Sequence, residues 1–288
     1  MDDIIKKAGV LIEALPYIKN FYDKTIVIKY GGAAMTDDAL RRSVLEDIVF
    51  MNYVGMQPIL VHGGGPKLTQ RLKDLGITTK FVEGYRVTDE ETMRIAEEEF
   101  MKINADIVRE LKSLGASAMS LSGKEDGFIE VQKHAPIEGV DLGYVGEIKN
   151  IDTDVISKML TTDIIPVIPP VGVGESDGHA YNINADQVAS EVAAALSALK
   201  LVVLTNVQGI LRNIDNTDSL ITHVTLSQVK QLIDSGVVSG GMLPKVNACV
   251  HALEHGVTKS HILDAKIPHA LLLEIFTDKG VGTEFVKS

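Results

Sequence analysis

The sequence holds a single cysteine, Cys249, which excludes an intrachain disulfide and a cysteine-based zinc site. Cys249 lies in an apolar helical pattern and reads as buried filler. No apolar run approaches the ~20 residues that span a bilayer, so no membrane role is expected. Basic residues are scarce: 28 Lys and Arg stand against 39 Asp and Glu, a formal charge of −11. Duplex-binding proteins usually carry the opposite sign, so nucleic acid is not an expected partner. The opening residues include Asp2, Asp3, Lys6, Lys7 and Glu13, which do not match a signal peptide, and a cytoplasmic location is the expectation. There is no low-complexity tract and no internal repeat strong enough to matter.

Familiar nucleotide motifs are missing too. Gly123 and Lys124 are followed by Glu125, which breaks a Walker A loop. The dinucleotide fingerprint fails at Leu68 after Gly63 and Gly65, and at Asp177 after Gly172 and Gly174. The protein-kinase catalytic loop is absent. No Ser–His–Asp or Cys–His set stands out.

What is there is a soluble-type composition with 45% hydrophobic residues over 288 positions, enough for one large α/β domain or two lobes. The stretch from Gln57 to Pro66 runs from an apolar β-branched segment through Gly63, Gly64 and Gly65 into a helical pattern. Glycines let backbone approach a ligand, and free N–H groups at a helix start favour an anion. A second copy lies upstream. Residues 25–29 read as a strand, Gly31 and Gly32 as a turn, and a helix follows over 37–53. Lys29 sits at the mouth of that unit. Two strand–glycine–helix units with a lysine describe a phosphate-handling crevice in an otherwise acidic protein.

The rest of the chain alternates strands and helices, which argues for a three-layer fold around a mainly parallel sheet. Residues 2–22 read as an amphipathic helix through Ile4, Ala8, Leu11, Leu15, Ile18 and Tyr22, with Pro16 expected to kink it. That helix either lies on its own domain or serves as an oligomerisation arm. Residues 78–87 read as a hairpin or flap around Gly84. Thr88 with Glu91 reads as a capping box for a long helix through residue 114. Residues 116–121 read as a buried strand, 126–150 as hairpins, and 185–199 as an alanine-rich helix capped by Asn184. Thr225 with Gln228 caps a further helix, 242–255 is helical around Pro244, and short strands are expected at 201–204, 260–263 and 283–286.

Five motifs in order carry a resemblance over essentially the whole chain. They are Ile28-Lys29-Tyr30-Gly31-Gly32, His62-Gly63-Gly64-Gly65, Gly84-Tyr85-Arg86-Val87-Thr88, Asn182-Ile183-Asn184-Ala185-Asp186 and Gly241-Met242-Leu243-Pro244-Lys245. Together they resemble the acetylglutamate kinases, members of the amino acid kinase superfamily on the arginine biosynthesis pathway. The resemblance implies a three-layer αβα sandwich with two lobes. It implies transfer of a phosphoryl group from ATP, carried with Mg2+, to the γ-carboxylate of N-acetyl-L-glutamate. It divides the chain into an N-terminal oligomerisation helix (1–22), an acetylglutamate-binding and dimerisation lobe (23–178) and an ATP-binding lobe (179–288).

Carried onto this sequence, Lys29 and Lys245 would be the two charges on the migrating phosphoryl group, with Asp186 between them. Gly32 and Gly65 would donate backbone N–H groups, and Gly31 and Gly64 would shape the turns. Lys29, Gly31, Gly32 and Lys245 would hold the nucleotide. Gly64, Gly65, Arg86 and Asn182 would bind the acetylglutamate. No protein ligand to the metal is implied. Each residue has a plainer reading: Lys29 as a solvated strand lysine, Asp186 as an acid on a helix dipole, Lys245 as a surface lysine. His62 is read as structural, since a carboxylate nucleophile with pKa near ~4.3 needs no general base. His134, His179 and His255 receive no role.

The N-terminal helix resembles the arm of arginine-inhibited members, which joins dimers into a hexamer, a trimer of dimers. The run from His261 through Thr277 to Gly280-Val281-Gly282-Thr283 resembles their arginine site, with Glu274 set for a guanidinium and Tyr17, Lys200, His261 and Gly280 completing the pocket. The competing readings are another carboxylate kinase of the superfamily, a non-catalytic arginine sensor on the same scaffold, and, for the C-terminal run, ordinary core and turn.

Overall fold

Short runs of Val, Ile and Leu become the strands Thr25–Tyr30, Gln57–His62, Ile165–Ile168, Lys200–Thr205 and Lys259–Asp264, nearly every residue of them buried. Unbroken apolar strands of this kind belong to a parallel sheet covered on both faces. A computed structural model of the chain describes residues 2–35, 37–277 and 280–288 and shows that sheet. It has eight strands, in the order His223–Thr225, Thr283–Val286, Lys259–Asp264, Lys200–Thr205, Thr25–Tyr30, Gln57–His62, Ile165–Ile168 and Ala118–Ser120. Every neighbouring pair is parallel except Lys259–Asp264 with Thr283–Val286.

Alternate residues of each strand face opposite layers. Ile26, Ile28 and Tyr30 enter a core shared with helices Asp38–Tyr53, Gly65–Asp74, Glu90–Ser113 and Ala270–Ile275. Val27 enters a second core shared with helices Thr153–Leu160, Ala185–Ala195, Leu226–Asp234 and Leu243–Glu254. The result is the expected αβα sandwich. A smaller four-stranded sheet, Ala180–Asn182, Val171–Gly174, Ile129–Lys133 and Gly146–Ile151, collects the glycine-rich hairpins.

Most helix starts follow their side chains. Asp37 accepts from the amides of Ala39 and Leu40, Asn184 accepts from Asp186 N, and Thr225 with Gln228 forms the capping box. One start differs. The cap of Glu90–Ser113 is Asp89, which accepts from Thr92 N, because Thr88 is already bridged to Gly143 and bonded to the Arg86 carbonyl. The segment expected as a buried strand at 116–121 is an edge strand over Ala118–Ser120, and Met119 is 48% exposed. It has a neighbour on one side only, so one flank stays open.

The N-terminal helix spans Asp2–Phe21 with Pro16 inside it. Ile5, Val10, Leu11, Ile12 and Leu15 are exposed. Its last turns make the contacts: Tyr17 packs at 6.1 Å from Phe276, and Lys200 Nζ sits 5.2 Å over the Phe21 ring. The side chain of Ile4, expected on the same face, lies outside the described residues. Among the described residues, no helix is long and apolar enough to cross a membrane.

Candidate active site

The chain leaves strand Thr25–Tyr30 in one direction towards Gln57–His62 and later returns to its other side with Lys200–Thr205. This is where the strand order switches, and in open α/β sheets ligands sit at the carboxyl ends of strands beside such a point. Lys29, the glycine pair after it, and the three glycines after His62 all lie at those ends.

Strand alternation sends Lys29 towards the layer holding Ala185–Ala195 and Leu243–Glu254. There its Nζ lies 2.9 Å from Asp186 Oδ1. Lys245, in the first turn of Leu243–Glu254, donates to the other oxygen, Asp186 Oδ2, at 3.1 Å. Asp186 stands in the first turn of Ala185–Ala195 and is 5% exposed. Burial alone would raise its pKa, but the Lys29 and Lys245 ammoniums outweigh that and hold the carboxyl below its ordinary range. The trio carries one net positive charge at the mouth of two glycine turns.

The turns are glycine for steric reasons. Gly32 adopts φ +73°, and a Cβ there would strike Asn206 Oδ1. A Cβ on Gly64 would come within 2.6 Å of the Phe100 ring, and one on Gly31 within 2.9 Å of Lys29 Nζ. Gly65 opens helix Gly65–Asp74, where first-turn amides lack intrahelical acceptors.

A cavity of about 230 Å³ brings Lys29, Gly31, Gly32, Gly64, Gly65, Arg86 and Asn182 together. Asp186 and Lys245 join it through Lys29. Arg86 comes from the hairpin Phe81–Val82 and Tyr85–Arg86. Its NH2 group donates to Thr69 Oγ1 at 2.7 Å and to Gly65 O at 3.2 Å, and its guanidinium lies 4.6 Å from the Phe81 ring centre. Its NH1 group is buried with no partner among the described residues. A buried guanidinium with an idle arm is set for an anionic oxygen. Asn182 donates to Thr88 Oγ1 at 3.4 Å across the cavity wall. Thr69, Phe81 and Asn206 were not anticipated; Asn206 directly follows a central strand and Thr69 lies four residues after Gly65, so position alone was their signal.

A larger cavity, about 460 Å³, opens beside Glu90, Arg94, Glu97, Lys124, Tyr144 and His179. It contains neither lysine of the trio nor a glycine turn, so size does not mark the chemistry here. Among the described residues no group of three or more His, Cys, Asp or Glu is arranged to hold a metal ion. Within the trio, both Asp186 oxygens are already taken by ammonium groups.

At the far end of the sheet a second polar cluster forms. His261 Nδ1 is 2.8 Å from Glu274 Oε1, and Val281 N donates to Glu274 Oε2 at 2.9 Å. Burial works against ionisation of Glu274, but His261, the Val281 amide and Lys200 together keep its pKa low. A Cβ on Gly280 would reach within 2.7 Å of Glu274 Oε2. Lys200 is buried beside Glu274 and under Phe21, and desolvation lowers its pKa. Tyr17 approaches through Phe276. All five residues expected for an effector pocket are thus gathered at the junction of the N-terminal helix and Ala270–Ile275.

The sequence model of the amino acid kinase family matches residues 24–264. Acetylglutamate kinase from Moorella thermoacetica is 50% identical over 290 residues, covering 98% of each chain. Acetylglutamate kinase from Pelotomaculum thermopropionicum is 51% identical, covering 96% of this chain and 97% of its own. Among solved structures, N-acetylglutamate synthase from Neisseria gonorrhoeae, complexed with coenzyme A and N-acetyl-glutamate, aligns with TM-score 0.87 at 28% identity over 98% of this chain. The chain spans 63% of that synthase's length. Carbamate kinase from Giardia lamblia bound to AMP-PNP shares the fold, with TM-score 0.66 at 17% identity over 92% of this chain and 99% of its own. With its family match and its near-complete overlap, at about half identity, with acetylglutamate kinases, the chain belongs to the amino acid kinase family and, within it, to the acetylglutamate kinases.

Proposed function

We propose that this enzyme transfers the γ-phosphoryl group of ATP to the γ-carboxylate of N-acetyl-L-glutamate, giving N-acetyl-L-glutamyl 5-phosphate for arginine biosynthesis. The observation that carries the reading is the convergence of Lys29 and Lys245 on Asp186 beside two glycine turns. The γ-carboxylate is ionised at neutral pH, with a pKa near ~4.3, so it is already a nucleophile. The barrier is repulsion between an anionic attacker and an anionic phosphate. Lys29 and Lys245 neutralise charge on the migrating group from two sides, and Asp186 fixes the spacing between them. The Gly32 and Gly65 amides offer N–H groups to phosphate oxygens. Arg86, with its idle NH1, holds a carboxylate of the amino acid, and Asn182 orients it. The N-terminal part (23–178) holds the amino acid and the C-terminal part (179–288) the nucleotide. Mg2+ carried with ATP would supply charge shielding on its phosphates. Each Asp186 oxygen is engaged by one of the two lysines.

The test supplies ATP, Mg2+ and N-acetyl-L-glutamate with hydroxylamine, which traps an acyl phosphate as hydroxamate. Hydroxamate formed only with acetylglutamate supports the reading. Formation with another acidic amino acid instead reassigns the substrate within the family, and arginine binding without product leaves a sensor.

Regulation is proposed from the second cluster. Arginine binds between Tyr17, Lys200, His261, Glu274 and Gly280, with its guanidinium on Glu274, and lowers activity. A solved relative of N. gonorrhoeae, the synthase complexed with coenzyme A and L-arginine, aligns with TM-score 0.83 at 27% identity, and this chain covers 65% of it. The exposed apolar face of Asp2–Phe21 is the arm that joins dimers into a hexamer. Deleting residues 1–22 is expected to abolish arginine inhibition while basal turnover persists. Equal inhibition of the full and shortened chains overturns this.

A further inference from the structure

His62 ends strand Gln57–His62 immediately before the three glycines, yet it is fully buried and does not reach the cavity. Its Nδ1 lies 2.7 Å from the Gly63 carbonyl oxygen. Its Nε2 lies 3.2 Å from Asn104 Nδ2, and the same Asn104 nitrogen donates to the Val167 carbonyl at 2.8 Å. These contacts settle where the hydrogens are. A carbonyl only accepts, so Nδ1 carries the proton towards Gly63. Val167 O likewise fixes the Asn104 amide with its NH2 group inward. That NH2 group has a second hydrogen, which points to Nε2, so Nε2 is the bare acceptor. The ring is a neutral imidazole with one donating and one accepting nitrogen, each used once. Asn104 Oδ1 is buried without a partner among the described residues. Keeping a polar head there at that cost makes sense only for its two donated bonds.

The gripped atom matters because of what shares its plane. Among the described residues no peptide is cis. In a trans peptide the carbonyl oxygen of Gly63 and the N–H of Gly64 point in opposite directions. Holding the oxygen down towards the core therefore aims the Gly64 N–H out towards the cavity. Between two glycines such a plane is otherwise free to turn over. The same helix supports the turn elsewhere: Phe100, one turn before Asn104 on Glu90–Ser113, lies under Gly64. The Gly63 amide is tied to Tyr30 O at 2.8 Å, which links this turn to the strand carrying Lys29.

We propose that His62, clamped by Asn104, is a positioning residue that locks the Gly63–Gly64 peptide with its N–H facing the anion. This rests on the phosphoryl-transfer reading for its consequence, but not for its geometry. Burial also lowers the pKa of His62 to about 4, which keeps the ring neutral at working pH.

Two substitutions separate positioning from packing. His62→Asn places an amide nitrogen near where Nδ1 was, keeping the grip on Gly63 and losing Asn104. His62→Gln places its head near where Nε2 was, keeping Asn104 and releasing Gly63. Glutamine is closer to histidine in reach, so a packing role makes it the milder change. Positioning makes asparagine milder. The expected result is a kcat for His62→Gln about tenfold below that of His62→Asn at matched folded fraction, in line with a misaimed rather than absent donor. A kcat for His62→Gln equal to or above that of His62→Asn overturns the proposal. A second readout does not need activity. Nitrogen-15 NMR of the wild-type ring should show the neutral form protonated at Nδ1 from pH 5.5 to 8. A ring protonated at Nε2 overturns the proposal even if both variants fail to fold. Absence of hydroxamate from the wild type would instead sink the phosphoryl-transfer reading and leave the ring measurement standing.

Discussion

A lysine at the fifth position of a six-residue buried strand is costly unless something answers its charge. In Lys29 the answer is Asp186, 157 positions away in sequence, with Lys245 on its other oxygen. Strand alternation explains why Lys29 faces the right layer, because Val27 two residues earlier faces it too. Replacing Lys29 or Lys245 by methionine keeps the stem and removes the charge, and each should lower kcat by ~10²–10³ in the hydroxamate assay. Asp186→Asn should lower turnover and also stability, by about 3 kcal/mol in urea unfolding, because it leaves two ammonium groups close together in a largely buried site. Unchanged turnover in all three would remove the trio from the chemistry. His62 gives a pH-dependent prediction. Its folded pKa of about 4 lies below the ordinary 6.5. Above pH 6.5 both folded and unfolded rings are neutral and no penalty exists. As pH falls from 6.5 to 4 the unfolded ring gains a proton first, so stability is lost across that window, by up to about 3 kcal/mol. The difference in unfolding free energy between wild type and His62→Asn should follow that slope and flatten below pH 4. At this scale the sequence showed which residue types mattered, and the motif resemblance paired them; no spacing rule could bring residue 29 to residue 186.

Elements were easier to read than their ends and their partners. Thr225 and Gln228 announce their capping box in four residues, and the structure has it. Thr88 with Glu91 announces one equally well, yet Asp89 caps instead because Thr88 is occupied by Gly143 from a distant loop. Local signals tied, and a tertiary contact decided. The edge position of Ala118–Ser120 was hidden for a similar reason: its composition resembles an inner strand, and only the strand order says otherwise. The hairpin at Phe81–Val82 and Tyr85–Arg86 was legible from alternation around Gly84, but the stacking of Arg86 on Phe81 was not. That stacking and the Thr69 bond preset the guanidinium, so Arg86→Ala should raise the acetylglutamate KM by tenfold or more with less change in kcat. A KM within error of wild type would assign the idle NH1 group to something other than substrate. The N-terminal helix was legible in its period, and an oligomerisation arm was one of its two readings; an exposed apolar face fits that reading. Leu11 and Leu15 are 69% and 57% exposed on it. Changing both to glutamate should reduce the mass in light scattering if this face joins subunits, and leave it unchanged if the helix stands alone.

Across the whole molecule, the crevice is where elements from both halves of the chain meet: strand Thr25–Tyr30 and two helix N-termini, Ala185–Ala195 and Leu243–Glu254. Ligand held there ties these elements together, so it should resist their separation. Cys249 offers a reporter of that separation. It lies on Leu243–Glu254, one turn beyond Lys245, with no exposure, and its carbonyl accepts from Ser260 Oγ at 3.2 Å. Burial, with the nearby Asp186 charge, pushes its thiol pKa well up, so the reactive thiolate is suppressed in the closed state. Labelling by a disulfide reagent therefore needs the helix to leave both Lys259–Asp264 and Ala185–Ala195. If the site spans these elements, ligand at 100 times its dissociation constant should slow labelling by about 100-fold, the factor set by mass action on the closed state. ATP and acetylglutamate together should slow it more than either alone, because they occupy neighbouring parts of one crevice. Rapid labelling of the native chain, or a rate indifferent to both ligands, would mean that Leu243–Glu254 opens on its own. Lys245 would then be held by its local helix rather than by the assembled site.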